Sequence, residues 1–195
     1  MTPLRALLWI ALAAPAAWWL YAYRADIMSY GEILHETGDL SVQLLIVTLA
    51  ATPLRLLAPR APVSAWLVKR RRDLGVATFC YAALHLAVYA VRKADLALIV
   101  EEGLAPEILT GWVALIIFAA LAITSNDISM RLMKSAWKKL HLWVYPAAVL
   151  ALAHWVLTAF DPLMAYIHAG VLAALEALRL VLQAQRRKAR QSSAT

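Results

Sequence analysis

The stretch that decides the fold is RRRDLGVATFCYAALHLAVYA, residues 70–90, in which a basic block precedes an apolar run that contains one histidine. An apolar run of this length, next to charged residues, is typical of a membrane-spanning helix, because about 20 such residues cross the hydrocarbon core. An ionisable side chain inside such a helix is costly and is a candidate for function. The stretch therefore predicts a membrane helix with a functional His85.

The rest of the chain repeats the apolar pattern. It has 195 residues, of which 63% are hydrophobic, and its mean hydropathy is +0.67. A soluble domain is nearer half apolar. We therefore predict an all-α membrane protein, a bundle of six transmembrane helices over residues 1–183, followed by a basic tail at 184–195. The predicted helices lie at about 7–23, 40–57, 74–91, 109–124, 140–158 and 163–182.

Glycines divide the apolar segments. We interpret Gly75, Gly103 and Gly111 as breakers that mark segment ends, since glycine is a poor helix former. Loops between the segments are short, which leaves no room for an ordinary extramembrane domain. The prediction is one multi-pass domain.

The basic residues indicate how the helices are oriented. Lysine and arginine collect on the cytoplasmic side of membrane proteins. Only Arg24, Arg92 and Lys93 fall in one set of connections. The other set holds Arg5, Arg55, Arg60, Lys69, Arg70, Arg71, Arg72, Arg131, Lys134, Lys138, Lys139, Arg179, Arg186, Arg187, Lys188 and Arg190. We therefore expect both termini in the cytoplasm.

Composition also disfavours several functions. The net charge of +7 comes from short basic blocks between apolar segments rather than from one basic face, so nucleic-acid binding is not expected. A single cysteine, Cys80, rules out an intrachain disulfide and a cysteine-rich metal site. No GxGxxG or Walker motif is present, so NAD(P)H binding is not expected.

Three histidines lie on two predicted helices that both begin at the cytoplasm. At the rise of an α-helix, His85 lies about 20 Å above Arg72 and His154 about 22 Å above Lys139, whereas His141 lies only about 3 Å above Lys139. Two neutral imidazoles at one depth favour a haem iron between them. The alternative is a buried histidine bonded to a hydroxyl or a carbonyl. Zinc or copper is less favoured, because no carboxylate or further thiolate shares the level.

Two segments carry a family resemblance. Residues 70–90 and WKKLHLWVYPAAVLALAHW, residues 137–155, look like helices 3 and 5 of the MsrQ family, the haem-binding membrane subunits of the periplasmic methionine sulfoxide reductase system. TLAATPLR at 48–55, TS at 124–125 and His35 in LHETG resemble further motifs of that family. The resemblance covers nearly the whole chain. It implies the ferric-reductase-like transmembrane fold.

The resemblance also implies cofactors. It implies b-type haem with His85 and His154 as the axial ligands. In two-haem relatives His141 would match an inner ligand, but its partner position on helix 3 holds Arg71, so His141 is assigned to a second or inner cofactor site. The family binds FMN, which would suit that site. The candidate groups for the FMN phosphate are Arg70, Arg71, Arg72 and Lys138, whose alternative role is positive-inside anchoring.

The chain departs from the family pattern at two places. The stretch APEILTGW at 105–112 stands where relatives have Arg-Pro-Tyr, and Leu142 stands where a polar or basic residue is usual. Both departures concern the edges of the cofactor sites.

The resemblance implies a function as well. The protein would be a b-type cytochrome of the bacterial inner membrane that passes electrons from the quinone pool or a flavin to a periplasmic MsrP-type molybdenum reductase. That partner, rather than this chain, would reduce methionine sulfoxide. Two alternatives stay open: a conduit that reduces ferric or cupric ions directly, and a non-redox transporter with a histidine proton relay.

Overall fold

The protein is helical over the residues that its computed structural model describes, 3–192, and no strand occurs among them. Nine helices are formed in that range. Their bounds are α1 Pro3–Arg24, α2 Tyr30–Leu57, α3 Pro62–Lys93, α4 Leu96–Gly103, α5 Pro106–Ile123, α6 Asp127–Met133, α7 Ser135–His141, α8 Val144–Thr158 and α9 Leu163–Ser192.

Six stretches in the described range are long and apolar enough to cross a membrane. They are α1, α2, α3, α5, the combined stretch Ser135–Thr158, and α9. The predicted all-α architecture with six spans is confirmed. The orientation of the termini stays a prediction.

The fifth span is divided where the sequence predicted one helix. It consists of α7 and α8, which are separated at Leu142 and Trp143. Pro146 explains the interruption, because it has no N–H to donate to the carbonyl of Leu142. The chain instead makes tighter turns, with Leu142 N donating to Lys139 O at 3.2 Å and Trp143 N to Leu140 O at 3.0 Å.

Several helices extend beyond their apolar segments. α2 begins ten residues earlier than predicted, at a capping box in which Ser29 Oγ accepts from Glu32 N and Glu32 accepts from Ser29 N. α3 begins at Pro62 in the first helical turn, a position that proline favours. α9 continues through most of the predicted tail to Ser192. Hydrophobicity indicates where a helix enters the membrane, whereas caps and prolines determine where it starts.

The interpretation of the glycines as breakers is wrong at two of three positions. Gly103 is the last residue of α4, as expected, but Gly75 lies inside α3 and Gly111 lies inside α5. Membrane helices accept glycine where another element must approach the backbone closely. At Gly111 that element is a histidine ring.

The helices pack as two pairs, α2 with α3 and α5 with α8. The larger apolar cluster lies between these pairs and includes Leu45, Phe118, Ala147 and Leu152. α9 packs on α2, and α1 contacts α3 through Tyr81, which donates to Leu12 O at 2.6 Å. This arrangement brings the histidine-bearing faces of α3 and α8 together.

Candidate functional site

His85 and His154 lie next to each other in the interior. His85 belongs to α3 and His154 to α8, and their ring centroids are 6.3 Å apart with the ring planes at 87°. Two imidazoles that bind one metal from opposite sides, with metal–nitrogen bonds of about 2 Å, have centroids roughly 6 Å apart. The observed spacing therefore fits one iron between the two rings.

Backbone carbonyls orient both rings. Nδ1 of His85 lies 2.9 Å from the carbonyl oxygen of Leu34, and Nδ1 of His154 lies 2.6 Å from that of Glu107. A carbonyl can only accept, so each Nδ1 carries the hydrogen and each Nε2 keeps its lone pair. A hydrogen bond of this kind fixes the tautomer and orientation of a metal-binding histidine. Both rings therefore have an Nε2 lone pair with which they could bind a metal.

Two glycines make room for these rings. A Cβ on Gly38 of α2 would lie 3.0 Å from His85 Nδ1, and a Cβ on Gly111 of α5 would lie 2.9 Å from His154 Nδ1. Real Cβ atoms essentially never come closer than 3.0 Å to another heavy atom, so a side chain at Gly111 would force a shift, and one at Gly38 would be tighter than nearly all real Cβ contacts. His85 thus lies directly against the backbone of α2, and His154 lies directly against the backbone of α5. Each ring also contacts a backbone carbonyl of the same helix.

A cavity of about 410 Å³ surrounds the histidine pair. Its walls come from α2, α3, α5 and α8 and are mainly apolar, with Val42, Leu86 and Phe118 among them. Among residues 3–192 no group of three or more His, Cys, Asp or Glu could hold a metal ion. Two opposed imidazoles in an apolar cavity fit a bis-histidine haem better than a zinc or copper site with more protein ligands.

Two of the other three histidines lie near the same cavity. His35 lines it, with its ring centroid 6.3 Å from that of Trp155. His168 of α9 is 5.0 Å from Trp155, and its Nε2 is 3.8 Å from Asp39 Oδ1. Neither ring is opposed to His85. The structure therefore groups four histidines at this level and leaves His141 apart.

A second cavity, of about 740 Å³, contains His141 and lies on the side of the basic cluster. The His141 ring stacks on Trp137 at 3.8 Å, its Nδ1 contacts Trp137 O at 3.0 Å, and its Nε2 lies 3.4 Å from Ser125 Oγ. Phe118 lines both cavities, so the two are neighbours. We refer to them as the outer cavity, around His85, and the inner cavity, around His141.

The predicted phosphate-binding residues all line the inner cavity, but they are not equivalent. Arg70, Arg71, Arg72 and Lys138 are among its walls. Arg70 is buried and pairs with Asp73 at 3.5 Å, and Asp73 also accepts from Arg5.

Arg72 is bound to the short helix α6 on the surface. It donates to Asp127 at 2.6 Å, and this hydrogen bond lowers the pKa of the Asp127 carboxyl. Arg71 and Lys138, by contrast, have no ion-pair partner among the residues that the structure describes. They are the better candidates for an anionic ligand.

Three features of the site are not predicted from the sequence. Gly38 and Gly111 were not connected with the histidines, although a glycine inside an apolar helix is a signal of close approach. Tyr145 lines the inner cavity and lies within the stretch 137–155, but nothing in its sequence context predicts a role for it. The carbonyls of Leu34 and Glu107 carry no sequence signal, because every residue has one.

Known proteins resemble this chain over most of its length. Residues 37–152 match the family described as ferric reductase like transmembrane component. A Xanthomonas oryzae pv. oryzae (strain MAFF 311018) protein is 37% identical over 94% of this chain and 87% of its own length. Its name is protein-methionine-sulfoxide reductase heme-binding subunit MsrQ.

Two more relatives bear the same name. The one from Xanthomonas campestris pv. campestris (strain B100) is 39% identical over 83% of this chain and 75% of its own length. The one from Pectobacterium carotovorum subsp. carotovorum (strain PC1) is 37% identical, over 90% and 83%. No solved structure gives a significant match.

Proposed function

Because the chain belongs to the ferric-reductase-like transmembrane family, and within it to the MsrQ haem-binding subunits, we propose that it carries electrons to a periplasmic reductase of methionine sulfoxide. A membrane haem electron-transfer role follows from the family. The proposal concerns the electron donor, the electron acceptor and the residues that bind the haem.

The observation that carries the proposal is the opposed pair of His85 and His154, 6.3 Å apart in an apolar cavity. When bound, b-type haem supplies one-electron iron chemistry at this position. His85 and His154 would hold the haem iron, and the carbonyls of Leu34 and Glu107 would hold the imidazoles in place. The apolar walls would keep water away from the iron.

Electrons would enter through the inner cavity. The excess of lysine and arginine at that end supports a cytoplasmic location, with the outer cavity toward the periplasm. FMN or a quinone would occupy the inner cavity, with His141 in its wall. The acidic residues at the outer end, with Glu32 and Glu36 in the first turns of α2 and Glu101 in α4, would steer a partner that bears a basic patch.

We expect the double change Arg71→Gln and Lys138→Gln to lower FMN content several-fold and to leave the haem spectrum unchanged. A charge-assisted hydrogen bond to phosphate contributes about 1.5–3 kcal/mol, so the loss of two cations weakens FMN strongly. FMN per haem in the purified protein is the measurement.

The matched control is Lys134→Gln with Lys139→Gln. Both lysines are exposed: Lys139 lies in α7, as Lys138 does, and Lys134 lies directly before α7. Neither lysine lines the inner cavity. The control removes the same charge on the same side, so a C-terminal topology reporter should give equal signals for the two proteins. Equal FMN content in both proteins would contradict phosphate binding by Arg71 and Lys138 and would favour their alternative role as positive-inside anchors.

The proposed function is tested by the reoxidation of reduced haem. The purified protein is reduced chemically, excess reductant is removed, and the periplasmic molybdenum reductase and methionine sulfoxide are added singly and together. Reduction of one sulfoxide to the thioether consumes two electrons and two protons and releases water. We therefore expect reoxidation only with both additions, at two haems per sulfoxide.

Other outcomes of this experiment identify the alternatives. Equally fast reoxidation by a ferric chelate alone would favour a metalloreductase. Absence of any reducible haem would leave a non-redox role, such as a transporter with a histidine proton relay.

A further inference from the structure

An ion pair lies in α9, toward the end of the last apolar segment that is followed by basic residues. Glu176 and Arg179, one turn apart on α9, are 2.7 Å from each other, and their side chains are only 20% and 17% exposed. Charged residues in a spanning helix are costly, and a buried pair seldom compensates for its own desolvation. A role beyond stability is therefore expected for this pair.

Arg179 connects the pair to the inner cavity through Tyr145. Its guanidinium carbon lies 4.2 Å from the centroid of the Tyr145 ring, and Nη1 donates a hydrogen bond to the Tyr145 hydroxyl. Tyr145 belongs to α8 and lines the inner cavity together with Ser125 and His141. The ion pair of α9 thus holds a cavity-lining side chain.

The hydroxyl hydrogen of Tyr145 is left available. Arginine has no acceptor, so its hydrogen bond uses a lone pair of the phenol oxygen and not the phenol hydrogen. Among residues 3–192 the structure shows no acceptor for that hydrogen. The positive charge of Arg179 also polarises the O–H bond, which strengthens it as a donor.

We propose that Tyr145, positioned by Arg179 and Glu176, donates a hydrogen bond to a ring carbonyl of the electron carrier in the inner cavity. This inference rests on the proposed function, since it concerns the carrier that delivers electrons there. The chemical class is a planar ring that bears carbonyl oxygens, which a quinone headgroup and a flavin share. Arg71 and Lys138 suit an anion, whereas a neutral phenol suits a neutral carbonyl.

Glu176 and Arg179 act through Tyr145. The carboxylate neutralises the guanidinium, which would otherwise be an isolated charge in the apolar interior. The guanidinium in turn fixes the phenol. Arg179 and Glu176 are therefore positioning residues, and Tyr145 is the group that touches the carrier.

The test is Tyr145→Phe, which removes the hydroxyl and keeps the ring. Haem reduction is followed with a soluble quinol, decylubiquinol, and with chemically reduced FMN. One hydrogen bond corresponds to roughly a 3- to 10-fold change in binding. We expect the apparent KM for one of the two donors to rise by that factor, with haem content unchanged, and the affected donor identifies the carrier.

The matched control is Tyr166→Phe, because Tyr166 lies on the exposed side of α9 and lines neither cavity. It should match the unmodified protein with both donors. For the positioning role, Arg179→Gln should raise the apparent KM as much as Tyr145→Phe does, and the double variant should raise it no further. Arg179→Lys keeps the positive charge and should raise the apparent KM less than Arg179→Gln.

The outcomes distinguish failure of this inference from failure of the proposed function. If the unmodified protein is reduced by a donor and Tyr145→Phe behaves identically, the inference fails and the proposed function stands. If neither donor reduces the haem of the unmodified protein, the proposed electron entry fails and the inference fails with it.

Discussion

Replacing either His85 or His154 with alanine is expected to remove most of the haem from the protein. Each change deletes one of the two imidazoles whose centroids lie 6.3 Å apart. Loss of a residue that only supports a metal ligand already lowers metal affinity about 10- to 100-fold, so loss of the ligand itself should lower it at least as much. We expect haem occupancy below roughly a tenth of the unmodified protein, measured as haem per polypeptide.

His168→Ala is the control for this experiment. His168 lies close to Trp155 but its ring is not opposed to His85, so its removal should leave most of the haem. His141→Ala should also retain the outer haem while slowing electron entry. Near-normal haem in His85→Ala or His154→Ala, at normal protein yield, would refute the pairing. Complete haem loss in His141→Ala alone would show that the two cavities have been assigned the wrong way round.

Gly111→Val is expected to lower haem content by roughly tenfold, because an overpacked interior costs about 1–3 kcal/mol. Even a single Cβ at this position would lie 2.9 Å from Nδ1 and 3.0 Å from Cγ of His154. The ring cannot move away freely, since Nδ1 is bonded to Glu107 O at 2.6 Å. The valine would therefore displace the imidazole from the position opposite His85. Haem per polypeptide is again the measurement.

Gly170→Val is the matched control, because a Cβ at Gly170 of α9 would meet nothing within 4 Å. Both changes place the same side chain in a membrane helix. A similar loss of haem in the two variants would indicate a general effect on folding and not a displaced ligand. Size-exclusion profiles and protein yield should be compared alongside.

Most of the architecture could be predicted from hydrophobicity. Each apolar segment is about long enough to cross a bilayer, and basic blocks occupy alternate connections, so six spans follow directly from the chain. The pairing of His85 with His154 could be predicted from depth, because both helices start at basic residues and rise by a constant distance per residue.

The parts that could not be predicted depend on tertiary contacts or on polar helical turns. The first ten residues of α2 are helical because Ser29 and Glu32 form a cap at the start of the helix. These ten residues are too polar to belong to the apolar segment. Gly111 was interpreted as a helix end because glycine has a low intrinsic helix propensity, yet its role is to admit the ring of His154. The contact of Arg179 with Tyr145 joins α9 to α8 and has no local signature.

The most direct test of the account is the electron paramagnetic resonance spectrum of the oxidised protein. The imidazole planes of His85 and His154 are at 87° to each other. Perpendicular ligand planes leave two iron d orbitals nearly equal in energy, so low-spin ferric haem then gives a highly anisotropic signal with a large principal g value. We predict that signal in the unmodified protein and its loss in His85→Ala and His154→Ala. A high-spin signal would contradict an iron held between these two histidines, and the rhombic low-spin signal of parallel imidazole planes would contradict the ring orientation described above.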